Sequence, residues 1–228
     1  MKTYTPELFA TDLDRTLVDA NLVIGSLGRA LLAENLDPRP MIHLVDAYES
    51  LSQSYNAWSY VQKYGNSDIE EAVKARFLAD CAENPIVYDD AQDYLNFLSE
   101  RFIDNLIMTN GDQTWQELKL TGSGLNKYPF LIIGEETKGS VIDSWRDHNE
   151  SFTIPDGIGC ESTLTIRLVD DKISSFNGFP GDCIGYLLIR NNEALKAQQD
   201  SDDLPLNIKI VQDLLEITED IDNRHEIL

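Results

Sequence analysis

The stretch Leu8–Val18, LFATDLDRTLV, constrains this chain more than any other. A short apolar run of this kind reads as a buried strand. It ends on Asp12 and Asp14, two residues apart and so on the same side of an extended chain. Two like charges held side by side out of water are costly unless a cation or a proton stabilises them. The strand end therefore points to a metal site or an acid/base pair. Acidic pairs at strand ends are common and usually solvated, so the partners have to come from the rest of the chain.

From Asn84 onward, short apolar runs alternate with helical patterns. NLIMTNG at 105–111, PFLIIG at 129–134, STLTIRLVDD at 162–171 and CIGYLLIR at 183–190 read as strands. Helices are expected around Tyr94–Leu98, Trp115–Leu120 and Ser140–Arg146, and NIKIVQDLLEI reads as a last strand and an amphipathic helix. ALKAQQDSDD is a polar, acidic segment before them, and DIDNRHEIL reads as a frayed end. Such alternation implies a parallel sheet with helices on both faces. Ligands of such sheets bind at the carboxyl ends of the strands. Asp12 and Asp14, Thr109, Lys138, and Asp170 and Asp171 all lie at or just after strand ends, so they are expected to meet in one crevice.

Residues 18–87 have a different, helical character. A helix over Gly28–Asn35 stops at DPRP, where Pro38 and Pro40 break it. Leu44, Val45, Tyr48, Leu51, Tyr55, Trp58 and Val61 recur at helical spacing and predict one long helix from Met41 to Gly65. Ser67 and Glu70 form a capping box for the next, which carries Ile69, Val73, Phe77 and Leu78. The aromatics Tyr48, Tyr55, Trp58, Tyr60 and Tyr64 are expected mainly to pack this block together. The fold class is thus α/β: a Rossmann-like core over 1–17 and 88–228, with a small helical cap subdomain inserted at 18–87.

Charge excludes some partners. The 228 residues carry 18 Lys+Arg against 40 Asp+Glu, a net −22. That field repels nucleic acid and anionic membrane surfaces, so neither is an expected partner. It also repels an anionic substrate at long range, so a phosphate site needs local positive charge. MKTYTPELFATDLD reaches acidic residues too early for a secretory signal. No apolar run approaches the roughly 18 residues of a membrane-spanning helix. Cys81, Cys160 and Cys183 are odd in number and lack CxxC spacing. They read as free thiols in a reducing, cytoplasmic compartment.

Taken in order, these segments resemble the haloacid dehalogenase-like superfamily. TDLDRT is similar to its first motif, MTNG to its second, Lys138 stands where its third-motif lysine is expected, and LVDD is similar to its fourth. The helical block between the first two motifs matches the place and size of its helical cap. The resemblance implies Asp12 as nucleophile, Asp14 as general acid/base, and Thr109 and Lys138 as further catalytic residues. It implies phosphoryl contacts from the backbone N–H groups of Asn110 and Gly111. Mg²⁺ is the implied cofactor, held by Asp12, the Asp14 carbonyl and Asp171, with Asp170 either supporting that ligand or replacing it. Four carboxylates and one lysine converging in one place need such a cation on electrostatic grounds as well.

Three features depart from the family. Arg15 stands where glycine is common and either crowds or binds the substrate phosphate. Gly139 follows Lys138 where many relatives have proline. The segment 147–162, DHNESFTIPDGIGCES, is long and loop-like, a flap over the site or a surface excursion. Asn177 is a further candidate to close the metal site, whereas His43, His148 and His225 match no motif. The function implied is hydrolysis of a small phosphorylated metabolite by a monomer or weak homodimer. A phosphomutase or phosphotransferase uses the same residues, and a binding module that keeps only phosphate affinity is the alternative outside catalysis. A dehalogenase needs neither Asp14 nor Asp171.

Overall fold

The computed structural model describes residues 4–50, 55–148, 151–158, 160–191 and 204–225. The polar segment after Ala194 and part of the 147–162 segment lie outside the described residues. By its internal contacts the chain divides into two compact units: Met1–Leu17, Tyr88–Thr109 and Tyr128–Leu228, and Val18–Val87 with Asn110–Lys127.

The first unit is built on a sheet. Its strands are β1 (Tyr4–Thr11), β2 (Asp104–Asn110), β3 (Phe130–Ile133), β4 (Phe152–Thr153), β5 (Ser162–Asp170), β6 (Ile184–Leu188) and β7 (Ile208–Val211). They lie in the order β3-β2-β1-β5-β6-β7, with β4 paired to β5. The pairs β1–β2, β1–β5, β5–β6 and β6–β7 are all parallel. Helix α5 (Asp89–Glu100) packs on one face through Tyr94, whose ring meets Phe9 edge-on at 6.3 Å. On that side the Tyr94 hydroxyl lies 3.2 Å from Thr11 Oγ1. Helix α7 (Lys138–Ser144) covers the other face, where Ile142 joins Leu8, Ala10, Met108 and Leu168 in one core. Side-chain alternation along β1 explains the split, with Leu8 and Ala10 on one face and Phe9 and Thr11 on the other.

One expectation changes here, and the parallel sheet gains a short addition, β4, which runs antiparallel to β5 at Ser162 and Thr163. The pairing also places the 147–162 segment at the start of β5, the end opposite Asp170. Its Phe152, Ile154, Ile158 and Cys160 are buried in the core. Apolar side chains pull this segment into the sheet, and the flap reading does not hold for its described residues.

The second unit is helical: α1 (Ala20–Ala33), α2 (Arg39–Glu49), α3 (Trp58–Tyr64), α4 (Ser67–Glu83) and α6 (Gln113–Gly122). Asp19 caps α1, accepting from Asn21 N at 2.8 Å. The long helix expected from Met41 to Gly65 is instead two, α2 and α3, and just ahead of α3 Asn56 Oδ1 accepts Trp58 N at 3.0 Å. Asn66, not Ser67, caps α4, taking Ile69 N at 3.0 Å. Trp58 and Tyr60 are buried, whereas Tyr48 and Tyr64 are exposed and meet Tyr55 and Tyr60 with their rings tilted. Residues 110–127, which strand–helix alternation assigns to the core, pack with this unit. Trp115 of α6 lies 5.7 Å from the Phe77 ring of α4, and Gly122 sits against Cys81.

Candidate active site

Parallel pairing of β1 and β5 places Thr11 opposite Val169, so the residues that follow, Asp12 and Asp170, emerge side by side. The Asp12 N–H donates to the Val169 carbonyl at 2.9 Å, which extends the ladder by one step and fixes the Asp12 backbone. Both side chains are buried. Between them lies the Lys138 ammonium, 2 % exposed, donating to Asp12 Oδ1 and, at 2.5 Å, to Asp170 Oδ2. Asp170 Oδ1 in turn accepts Lys172 N at 2.8 Å.

Lys138 is the first residue of α7 rather than a loop residue as expected. Thr137 caps that helix, and its hydroxyl donates to the Asn177 carbonyl at 2.7 Å. The glycine after the lysine has a steric cause. A Cβ at Gly139 would lie 2.6 Å from Phe179 N and 2.7 Å from Asn177 O. The helix start is thus pressed onto the 177–179 loop, which aims Lys138 inward. Asn177 serves the site through this carbonyl.

Asp171 completes the cluster: carboxylate oxygens of Asp12, Asp170 and Asp171 all lie within 4.8 Å of one another. Three carboxylates thus lie together, and one ammonium is paired with two of them. Burial, only partly offset by Lys138 and reinforced by Asp170 and Asp14, pushes the Asp12 carboxyl up to about 6. Burial, with Asp12 and Asp170 adding to it, pushes Asp171 up to about 8, against the pull of Lys172 and Arg15. Lys138 is held above its usual range by Asp12 and Asp170, despite the opposing effect of burial. The excess of negative charge on hard oxygen donors suits a divalent cation such as Mg²⁺. The donor set fits.

Asp14 is half-buried and lies outside the three-carboxylate group, but its charge reaches Asp12. Arg15 is exposed, and its charge reaches Asp171. Its φ is 63°, the left-handed region that glycine occupies freely and other residues enter at a cost of about 1–2 kcal/mol. That explains why glycine suits this place. Thr16 is fully buried, and its hydroxyl has no hydrogen-bond partner. Thr109 is buried at the carboxyl end of β2. Asn110 and Gly111 belong by contacts to the helical unit, where Gln116 Nε2 donates to the Asn110 carbonyl at 2.7 Å. Gly111 has φ 142°, and a Cβ there would lie 2.6 Å from Gln116 Nε2. Sequence reasoning missed Arg190 and Asp90, which bear on the turn at Arg15.

No family model and no curated protein matches the chain. Solved structures do. A haloacid dehalogenase-like hydrolase of Burkholderia xenovorans LB400 superposes with a TM-score of 0.57 at 18% identity, over 94% of this chain and 95% of that one. The chain has the haloacid dehalogenase-like fold. A 2-haloacid dehalogenase from Pseudomonas syringae pv. Tomato DC3000 gives 0.54 at 15% identity, over 96% and 99% of the two chains. The HAD-hydrolase YfnB of Bacillus subtilis, solved bound to magnesium, gives 0.52 at 14%, over 96% and 99%. Proteins of this fold thus differ in chemistry, and the choice among chemistries rests on the residues of the site. Among the described residues, no helix is long and apolar enough to cross a membrane.

Proposed function

We propose that this chain is a Mg²⁺-dependent phosphatase of the haloacid dehalogenase-like superfamily, acting on a small phosphorylated metabolite. The supporting observation is the cluster of Asp12, Asp170 and the half-buried Asp171, with Lys138 paired to the first two and Asp14 close enough for its charge to reach Asp12. A dehalogenase has no use for that excess of negative charge beside its nucleophile.

Asp12, paired with the Lys138 ammonium, is the nucleophile. It attacks phosphorus, the P–O bond to the leaving group breaks, and Asp14 supplies the proton to the departing oxygen. Asp14 then takes a proton from the water that cleaves the aspartyl-phosphate. Lys138 orients Asp12 and counters the charge of the incoming phosphoryl group. Thr109 supplies a hydroxyl donor to the phosphoryl oxygens, with the N–H groups of Asn110 and Gly111 beside it in the chain. Asp12, Asp171 and the Asp14 carbonyl would hold Mg²⁺, supported by Asp170. When bound, the ion would supply Lewis-acid neutralisation of phosphoryl charge.

The test is turnover of an aryl phosphate and of 2-chloropropionate, each with Mg²⁺ and with EDTA. Phosphate release that requires Mg²⁺, with no chloride release, is expected. EDTA-resistant chloride release would instead make the chain a dehalogenase.

A further inference from the structure

The turn after Asp12 is held by a residue distant in sequence. One backbone bond closes it, from Leu17 N–H to the Leu13 carbonyl at 2.9 Å. The Arg15 and Thr16 carbonyls point elsewhere, to Arg190, two residues beyond β6. Arg190 Nε donates to the Arg15 carbonyl at 3.3 Å, and Nη2 donates to the Thr16 carbonyl at 3.0 Å.

The guanidinium is itself fixed. Its Nη1 and Nη2 donate to Asp90 at 2.8 and 3.0 Å in a two-pronged pair near the start of α5. Asp90 Oδ2 also accepts the Leu214 N–H at 2.9 Å, which ties the pair to the loop after β7. The Tyr88 ring lies 4.0 Å from the guanidinium centre. A planar fork with several fixed donors can serve a carboxylate and two carbonyls together, and an ammonium cannot.

The carbonyls it takes belong to the place where the backbone is under strain. Arg15, at φ 63°, occupies a conformation that glycine adopts freely and arginine resists. We propose that Arg190 is a positioning residue, clamping the Arg15–Thr16 turn in its left-handed conformation so that Asp14 keeps its placement relative to Asp12. The kinetic half of this inference rests on the phosphatase reading. The conformational half does not.

The test is a cycle of Arg15→Gly and Arg190→Met, with Arg190→Lys alongside, read by metal-free thermal unfolding and by kcat and KM on an aryl phosphate. Each Arg190 loss is compared within its own background at position 15. Arg190→Met should lower kcat by about ten- to a hundredfold while KM stays within about threefold. In the Arg15→Gly background the kcat loss should shrink by about threefold or more, and the fall in Tm by about 2 °C or more. Arg190→Lys should behave like the Met variant, and it replaces that variant if Met prevents folding. Equal losses in both backgrounds would overturn the clamp, as would an unchanged kcat with a lowered Tm, which would leave Arg190 only a brace for α5. If the wild type hydrolyses no phosphoester, the phosphatase reading fails on its own. The Tm cycle then decides the clamp: coupling upholds it and additivity overturns it.

Discussion

Replacing Lys138 by Met tests the electrostatics of the site before any substrate is involved. Lys138 is 2 % exposed and its partner Asp170 is 1 % exposed, so solvent screens this pair very little. The substitution keeps most of the side-chain volume and removes the charge, which leaves Asp12, Asp170 and Asp171 facing one another without a cation. Breaking a buried pair from one side costs about 3–5 kcal/mol, because the remaining charge is stranded. For a chain of this size that is a fall in Tm of about 6–20 °C. The assay is metal-free thermal and urea unfolding near neutral pH. Pairing Lys138→Met with Asp170→Asn removes one stranded carboxylate along with the lysine. The double variant should therefore recover a substantial part of the loss. A loss below about 1 kcal/mol for Lys138→Met would refute the reasoning. So would a double variant less stable than Lys138→Met alone.

Other outcomes follow from the same geometry. Asp12 and Asp171 hold their protons up to about 6 and about 8, against an ordinary 3.8, so the folded chain binds more protons than the unfolded one within that window. Their effect is therefore to lower stability as pH rises from about 4 to about 8. Metal-free Tm should fall between pH 5.5 and 8.5, more steeply in the wild type than in Asp171→Asn. Protons on Asp171 compete with Mg²⁺, so calorimetry should show Mg²⁺ affinity rising toward pH 8, by up to about tenfold per pH unit. Gly139→Ala forces a methyl group against Phe179 N and Asn177 O, and should destabilise by about 1–3 kcal/mol in urea unfolding. Phe102 has φ 57° and is 94% exposed, so Phe102→Gly relieves strain and gives up almost no packing. A gain of about 0.5–1 kcal/mol in the same assay is expected.

Much of this was legible in the sequence because the fold is written in short-range patterns. The apolar run before Asp12, the alternation of strands and helices, and the placement of polar residues at strand ends suffice to predict a parallel sheet. They also suffice to predict that Asp12, Lys138, Asp170 and Asp171 meet. What escaped depends on pairing across long sequence separations. Arg190 meets Asp90 and the turn at Arg15 only because β6, α5 and β1 are neighbours in the folded unit, and no local spacing encodes that. The β4–β5 pairing is hidden in a segment that reads as loop, since two residues are too few to show a period. The break between α2 and α3 was masked by apolar spacing that runs through Asn56, a residue that serves as well in a cap as within a polar helix face. The backbone at Arg15 was readable only as a departure from glycine, and its φ of 63° supplies the cause.

Trapping decides whether Asp12 becomes phosphorylated. The protein is acid-quenched during incubation with an aryl phosphate and Mg²⁺, reduced with borohydride and mapped by peptide mass spectrometry. Reduction of an aspartyl-phosphate converts that aspartate to homoserine. Homoserine is expected at position 12 alone, and absent with EDTA. Turnover with Asp12 unmodified, or with the modification on another aspartate, would contradict this.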